Sequence, residues 1–188
     1  MIRNGLLVLG CFVLFSLPAR AADMIAEGGL HFGGDTIVTV NHEDGSSDSL
    51  RAGEELSVAI GVAFQLSEAI ETVVSFGMKK EVVYPDDGTI IFTRFPLNTL
   101  LLYISDKWRM GGGLTYHMNP VYKLDRETNR QTMEFSNALG LLFDVRYFVF
   151  EKVYIASRYT HIEYEVENDP TRRSYSGNSL GVLVGVQL

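Results

Sequence analysis

The chain has 188 residues, 46% of them apolar, with 18 glycines, a single cysteine and a formal net charge of −7. That length suits one domain, and 21% charged residues beside abundant Val, Ile, Leu and Phe exclude a disordered chain. The glycines keep no strict three-residue period, which excludes a collagen-like chain, and the acidic balance argues against nucleic acid as a partner.

Residues 1–21 read as a secretory signal peptide. Arg3 supplies the positive start, an apolar stretch covers 6–17, Pro18 breaks it, and Ala19 and Ala21 are the small residues before a cleavage point at Ala22. A lipoprotein signal is the weaker reading. Val8-Leu9-Gly10-Cys11 loosely matches a lipobox, but Phe12-Val13-Leu14-Phe15 continues the apolar stretch beyond Cys11. Cleavage removes the only cysteine, so disulfides and cysteine-ligated metals are excluded from residues 22–188. In that part the longest apolar run is Leu100-Leu101-Leu102-Tyr103-Ile104, far short of the ~18 residues a spanning helix needs. Any membrane crossing has to use strands.

From there the apolar residues recur with a period of two, the mark of half-buried strands. Eight segments occur in order: 25–40, 55–66, 70–84, 89–104, 107–118, 131–147, 153–167 and 175–188. In the second, Leu56, Val58, Ile60, Val62, Phe64 and Leu66 alternate with Ser57, Ala59, Gly61, Ala63 and Gln65. The last reads Leu180, Val182, Val184, Val186 and Leu188 against Gly181, Leu183, Gly185 and Gln187. Connections 41–54, 85–88, 119–130 and 168–174 are long or turn-rich and polar, whereas 67–69, 105–106 and 148–152 are tight. Long loops at one end and short turns at the other predict an all-β, eight-stranded antiparallel up-and-down transmembrane β-barrel over 22–188, with both termini periplasmic.

Alternation by itself fits a soluble barrel with the greasy face inward. The polar face decides. It consists largely of Gly, Ala and Ser, which suits the narrow interior of an eight-stranded barrel and gives a water-facing surface nothing. The other face is bulky on every strand, and Trp108, Tyr103, Tyr147 and Tyr84 fall near strand ends, where an aromatic girdle belongs.

With this plan, the segment Arg158-Tyr159-Thr160-His161-Ile162-Glu163-Tyr164 and the closing Gly177-Asn178-Ser179-Leu180-Gly181 resemble the small outer-membrane barrels of OmpA, OmpX and OmpW type. The resemblance covers the mature chain at the level of pattern. Leu188 stands where such barrels carry an aromatic residue in their assembly signal. It implies an outer-membrane location in a Gram-negative envelope and a monomeric state. As partners it implies the barrel-assembly machinery, periplasmic chaperones and lipopolysaccharide.

Inward parity sends Glu27, His31, Asp35, Glu55, Glu71, Lys79, Glu81, Arg94, Asn98, Arg109, His117, Glu134, Asp144, Arg146 and Arg158 into the lumen. Acids and bases confined in so narrow a space have to pair, which predicts a salt-bridged plug rather than an ion path. Arg94, Arg109 and Arg158 are expected to anchor it, because a guanidinium fork serves two carboxylates at once. His31, His117 and His161 read as separate polar histidines and not as a metal set, and no cofactor is implied. Two irregularities stand out. Pro96 in the fourth segment predicts a bulge or a gap in hydrogen bonding, a potential lateral opening. The seventh segment changes parity near Thr160-His161, which predicts a second bulge that turns Ile162, Tyr164 and Val166 outward.

Catalysis is disfavoured. A hydrolase needs a histidine-activated serine, and the His-x-Ser pair of lipid A deacylases is absent. The first loop holds His42, Asp44, Ser46 and Ser47, types an acyltransferase uses and any polar loop contains. The loop residues Lys123, Arg126, Arg130, Arg172 and Arg173 are candidate contacts for lipopolysaccharide phosphates. The expectation is a non-enzymatic barrel serving membrane integrity or surface interaction. The alternative reading is a passage for small apolar molecules that leave sideways near Pro96.

Overall fold

The computed structural model describes residues 22–42, 45–85, 88–126 and 130–188; the leader at 1–21, with its cleavage point, and Asp44 of the first loop lie outside them. Among the described residues thirteen strands run in chain order: β1 (Ala22–Gly33), β2 (Thr36–Asn41), β3 (Ser47–Arg51), β4 (Glu55–Ser67), β5 (Ile70–Val83), β6 (Gly88–Ser105), β7 (Trp108–Arg126), β8 (Arg130–Glu134), β9 (Ala138–Phe148), β10 (Val153–His161), β11 (Glu163–Glu165), β12 (Ser174–Ser176) and β13 (Ser179–Gln187). Eight of these form the ring. They neighbour one another in the order β6-β5-β4-β1-β13-β10-β9-β7, and β6 pairs with β7 to close it. The fold is an all-β, closed, eight-stranded antiparallel barrel. Closure leaves the ring no free edge, so its backbone donors and acceptors pair between neighbouring strands, apart from the irregular stretch around Pro96.

The greasy face looks out. Leu180, Val182 and Val184 on β13 are each more than half exposed, whereas Gly181 and Leu183 between them are buried. Met24, Ile60, Leu139, Leu101 and Phe143 continue this apolar belt round the barrel, the surface of a transmembrane β-barrel. At the short-turn end Trp108 and Tyr147 pack at a 50° tilt with ring centroids 4.8 Å apart, and exposed Tyr103 lies near them on β6. Tyr84 is exposed at the opposite end.

Small inward residues make room for large ones on the next strand. Gly181 pairs with His31, and a Cβ there would sit 2.5 Å from the His31 ring. Gly185 pairs with Tyr154, whose ring occupies the space that a side chain at that glycine would need.

The structure corrects the segment boundaries at the long-loop end. The predicted strand 25–40 breaks at Gly33 and Gly34, both at positive φ, and beyond them the chain forms a separate β2–β3 hairpin. The predicted strand 131–147 divides into β8, which pairs with the upper part of β7, and β9, which pairs with the lower part. Segments seven and eight each divide too, with β11 and β12 forming a short hairpin above the ring.

Parity near Thr160 also needs correction. Thr160, Ile162 and Tyr164 are all buried, so the alternation of β10 runs through without a flip. Ile162 and Tyr164 point into a roof over the lumen. There they join Val40, Leu50, Ala52, Val83, Ile90, Phe92, Tyr122, Phe135 and Ala138 in one apolar cluster.

At Pro96 the β5–β6 ladder runs to Phe76↔Leu97 and resumes at Lys79↔Arg94, a gap without a change of register. The bulge lies on the other side of β6. Thr93 pairs with Val121 and Phe95 with Met118, so the extra residue belongs to β7 beside Asn119, at φ 48°.

Candidate functional site

The lumen is filled in layers. On β1, β9 and β10, Glu27, Asp144, Arg146 and Arg158 form one buried cluster. Arg158 donates from Nη1 to Glu27 Oε1 at 2.6 Å and from Nε to Asp144 Oδ2 at 2.6 Å. Arg146 Nε reaches Asp144 Oδ1 at 2.8 Å, and the Tyr154 hydroxyl donates to Glu27 Oε2 at 3.1 Å. Two carboxylates against two guanidinium groups is a balanced set. Balance is what permits these groups to be buried together, since an unpaired charge there costs several kcal/mol.

A second cluster lies on β4, β5 and β6. Glu55 receives Lys79 Nζ at 2.7 Å and the Arg94 guanidinium. Arg94 lies 4.1 Å over the Phe92 ring and 5.6 Å from that of Tyr164, cation–π contacts that join charge to roof. His31 Nε2 is 2.9 Å from Ser57 Oγ, and His117 Nδ1 is 2.6 Å from the Tyr164 hydroxyl. Toward the short turns Arg109 Nη1 donates to Glu71 Oε2 and Gln187 Oε1, each at 2.5 Å, and lies 4.2 Å over Phe148. Within the barrel an apolar layer of Ile25, Ala63, Val73, Leu100, Leu102 and Leu142 adds to the filling.

The sequence-derived lumen residues therefore divide. Glu27, His31, Glu55, Glu71, Lys79, Glu81, Arg94, Asn98, His117, Asp144, Arg146 and Arg158 are buried, and Arg109 is half-buried at the mouth. Asp35 and Glu134 are corrections: both are exposed. Asp35 lies past the glycine break that ends β1, where its carboxylate accepts the Ser176 N–H at 2.9 Å. Glu134 ends β8 outside the ring and accepts the Glu167 N–H through its backbone carbonyl. Glu81 is at the top of β5, where its carboxylate holds the Arg51 N–H at 3.0 Å and ties β3 to the barrel. Two aromatic members escape the sequence reading: Tyr154 shares the inward parity of Arg158 but carries no charge, and Tyr164 is expected outward past a bulge that the structure lacks. Leu100 and Leu102 carry a visible signal, a run too continuous to alternate.

The candidate lipopolysaccharide contacts do not converge. Lys123 is exposed on β7, and Arg126 ends that strand. Arg130 is engaged by Asp125 at 2.8 Å. Arg173 is held by Asp169, and Arg172 is exposed in the same loop. The Thr171 hydroxyl and Arg173 hold the Asp169 carboxyl down at about 2. His42 and Asp48 meet at 3.2 Å near the exposed tip of the β2–β3 hairpin. His161 is exposed, apart from the buried His31 and His117, and no group of three His, Cys, Asp or Glu that could hold a metal occurs among the described residues.

Similarity to known proteins lies in the shape. Neisserial surface protein A aligns over 90% of this chain and 99% of its own, with a TM-score of 0.58 at 14% identity. Ail, the attachment invasion locus protein of Yersinia pestis, aligns over 89% and 97%, with a TM-score of 0.54 at 8% identity. Ail in complex with the heparin analogue sucrose octasulfate gives a TM-score of 0.57 at 7% identity over the same shares. The barrel is common to all three. No protein-family model matches the sequence, and no curated protein does.

Proposed function

We propose that this protein is a non-enzymatic outer-membrane barrel, closed to solutes, that acts in membrane integrity or surface interaction through its extracellular end. The filled lumen is the observation that carries this reading: two charge clusters, an apolar layer and an aromatic roof occupy the same narrow bore. The long loops at one end form the exposed rim, and Lys123, Arg126, Arg130, Arg172 and Arg173 supply its cationic groups toward lipopolysaccharide phosphates. Purified, refolded protein in a planar bilayer is expected to show no unitary conductance. Reproducible single-channel steps would contradict the plug.

One observation favours a second reading, sideways passage of small apolar molecules: the interrupted β5–β6 ladder at Pro96. Against it, Phe76 and Phe95 stack at 6.4 Å on the outer face beside the interruption. The His42–Asp48 pair is the nearest thing to a catalytic dyad, and its exposed hairpin offers little to enclose an acyl chain. Lipid A from cells with and without the protein is accordingly expected to give identical mass spectra. A mass difference of one acyl chain would make the protein an enzyme.

A further inference from the structure

The outer face of β5, β6 and β7 is apolar as far as Met78 and Phe95 and then changes character. Lys80, Thr93 and Val121 form the next outward row, and Lys123 stands one outward position higher, paired with Ile91. The two lysines are exposed and line one pocket of about 280 Å³ whose floor is Phe95. No carboxylate lines that pocket, and neither lysine side chain pairs with another described residue. On its β4 side Lys80 also borders a second groove, together with Asp48 and Glu54, without an ion pair to either. Lysine directly after the outward run Val74, Phe76, Met78 of β5 suits a position at headgroup level.

Phe95 also borders an apolar furrow of about 600 Å³ that runs past Phe76 and Met78 to Ala26 and Gly28. The furrow has a simple cause. On β1 the outward residues Ala26 and Gly28 are small, between Val58 and Ile60 on one side and Val184 and Val186 on the other. The lysine pocket and the apolar trough thus meet at Phe95, with Lys80 one outward position above Met78, the layout of an amphiphile with a charged head and a hydrocarbon tail.

We infer that this face docks one phosphorylated glycolipid of the lipid A type, its phosphate between Lys80 and Lys123 and an acyl chain in the furrow. A phosphate monoester carries close to two negative charges and matches two lysines, whereas the diester of an ordinary phospholipid carries one. The inference rests on the outer-membrane reading and adds to it a defined lipid and a place.

Native mass spectrometry of the refolded barrel, offered equimolar diphosphoryl lipid A, phosphatidylglycerol and phosphatidylcholine, tests it. Wild type is expected to retain lipid A about tenfold better than phosphatidylglycerol. Lys80→Gln with Lys123→Gln is expected to abolish that preference while the folded band on an unheated gel persists. At Gly28 an added Cβ meets only ordinary contacts, 3.5 Å from Ser57 O and 3.9 Å from Val58. Gly28→Leu should therefore fold, fill the furrow and weaken retention of lipid A and phosphatidylglycerol alike. Equal retention of the two lipids by wild type, or a preference that survives the double substitution, overturns the site. Retention unchanged in Gly28→Leu overturns the place given to the acyl chain. Absence of the protein from the outer-membrane fraction defeats the location itself; presence there without lipid preference defeats only the site.

Discussion

Replacing Arg158 by methionine is expected to lower the folding stability of the barrel by about 3–5 kcal/mol, the usual loss when one partner of a buried ion pair is removed. Arg158 is 4% exposed and bonds both Glu27 and Asp144, so its loss leaves two carboxylates to Arg146 alone. Arg146 Nη2 is 3.7 Å from Glu27, too far for a hydrogen bond to take over. Urea titration in lipid vesicles, followed by the fluorescence of the single tryptophan, Trp108, measures the change. Glu27→Gln combined with Arg158→Met leaves Asp144 and Arg146 balanced, and is expected to recover most of the loss. A single-substitution loss below about 1 kcal/mol would mean that water screens the cluster as it does surface pairs.

Phe92→Ala is expected to cost about 3–5 kcal/mol, as for other buried aromatic truncations, with the damage concentrated in the roof. Phe92 is fully buried, 5.4 Å from the Phe135 ring and 5.7 Å from that of Tyr164, and it covers Arg94. Its loss opens a cavity at the point where β6, the β8–β9 connection and β11 meet. Trypsin should then cut faster at Arg126, Arg130 and Arg172, near the rim, while the ring strands stay protected. Equal cleavage of variant and wild type would show that the roof does not hold the loops.

Much of the barrel was legible without coordinates. Period-two alternation counts strands, short and long connections order them, and an interior rich in Gly, Ala and Ser specifies which face looks inward. Inward charge was legible for the same reason, as at Glu27, Asp144 and Arg158. Partnership was not. Arg158 and Glu27 are 131 positions apart, and the strands between and beside them have to be tilted and registered before the two heights coincide. Lys80 had a signal that reading by inward parity discards, a charge on the greasy side.

Alternation specified eight ring strands and the side of each that is greasy, because a side-chain period of two leaves only two choices of face. Where the ring ends was visible only in the fold. Past the glycine break at Gly33 and Gly34 and above β10 the chain leaves the ring for hairpins, and the apolar residues there bury against one another: Ile162 and Tyr164 turn inward to form a roof, while Asp35 and Glu134 turn out to solvent. Local sequence looks the same on both sides of that boundary, so alternation continues across it while its meaning changes.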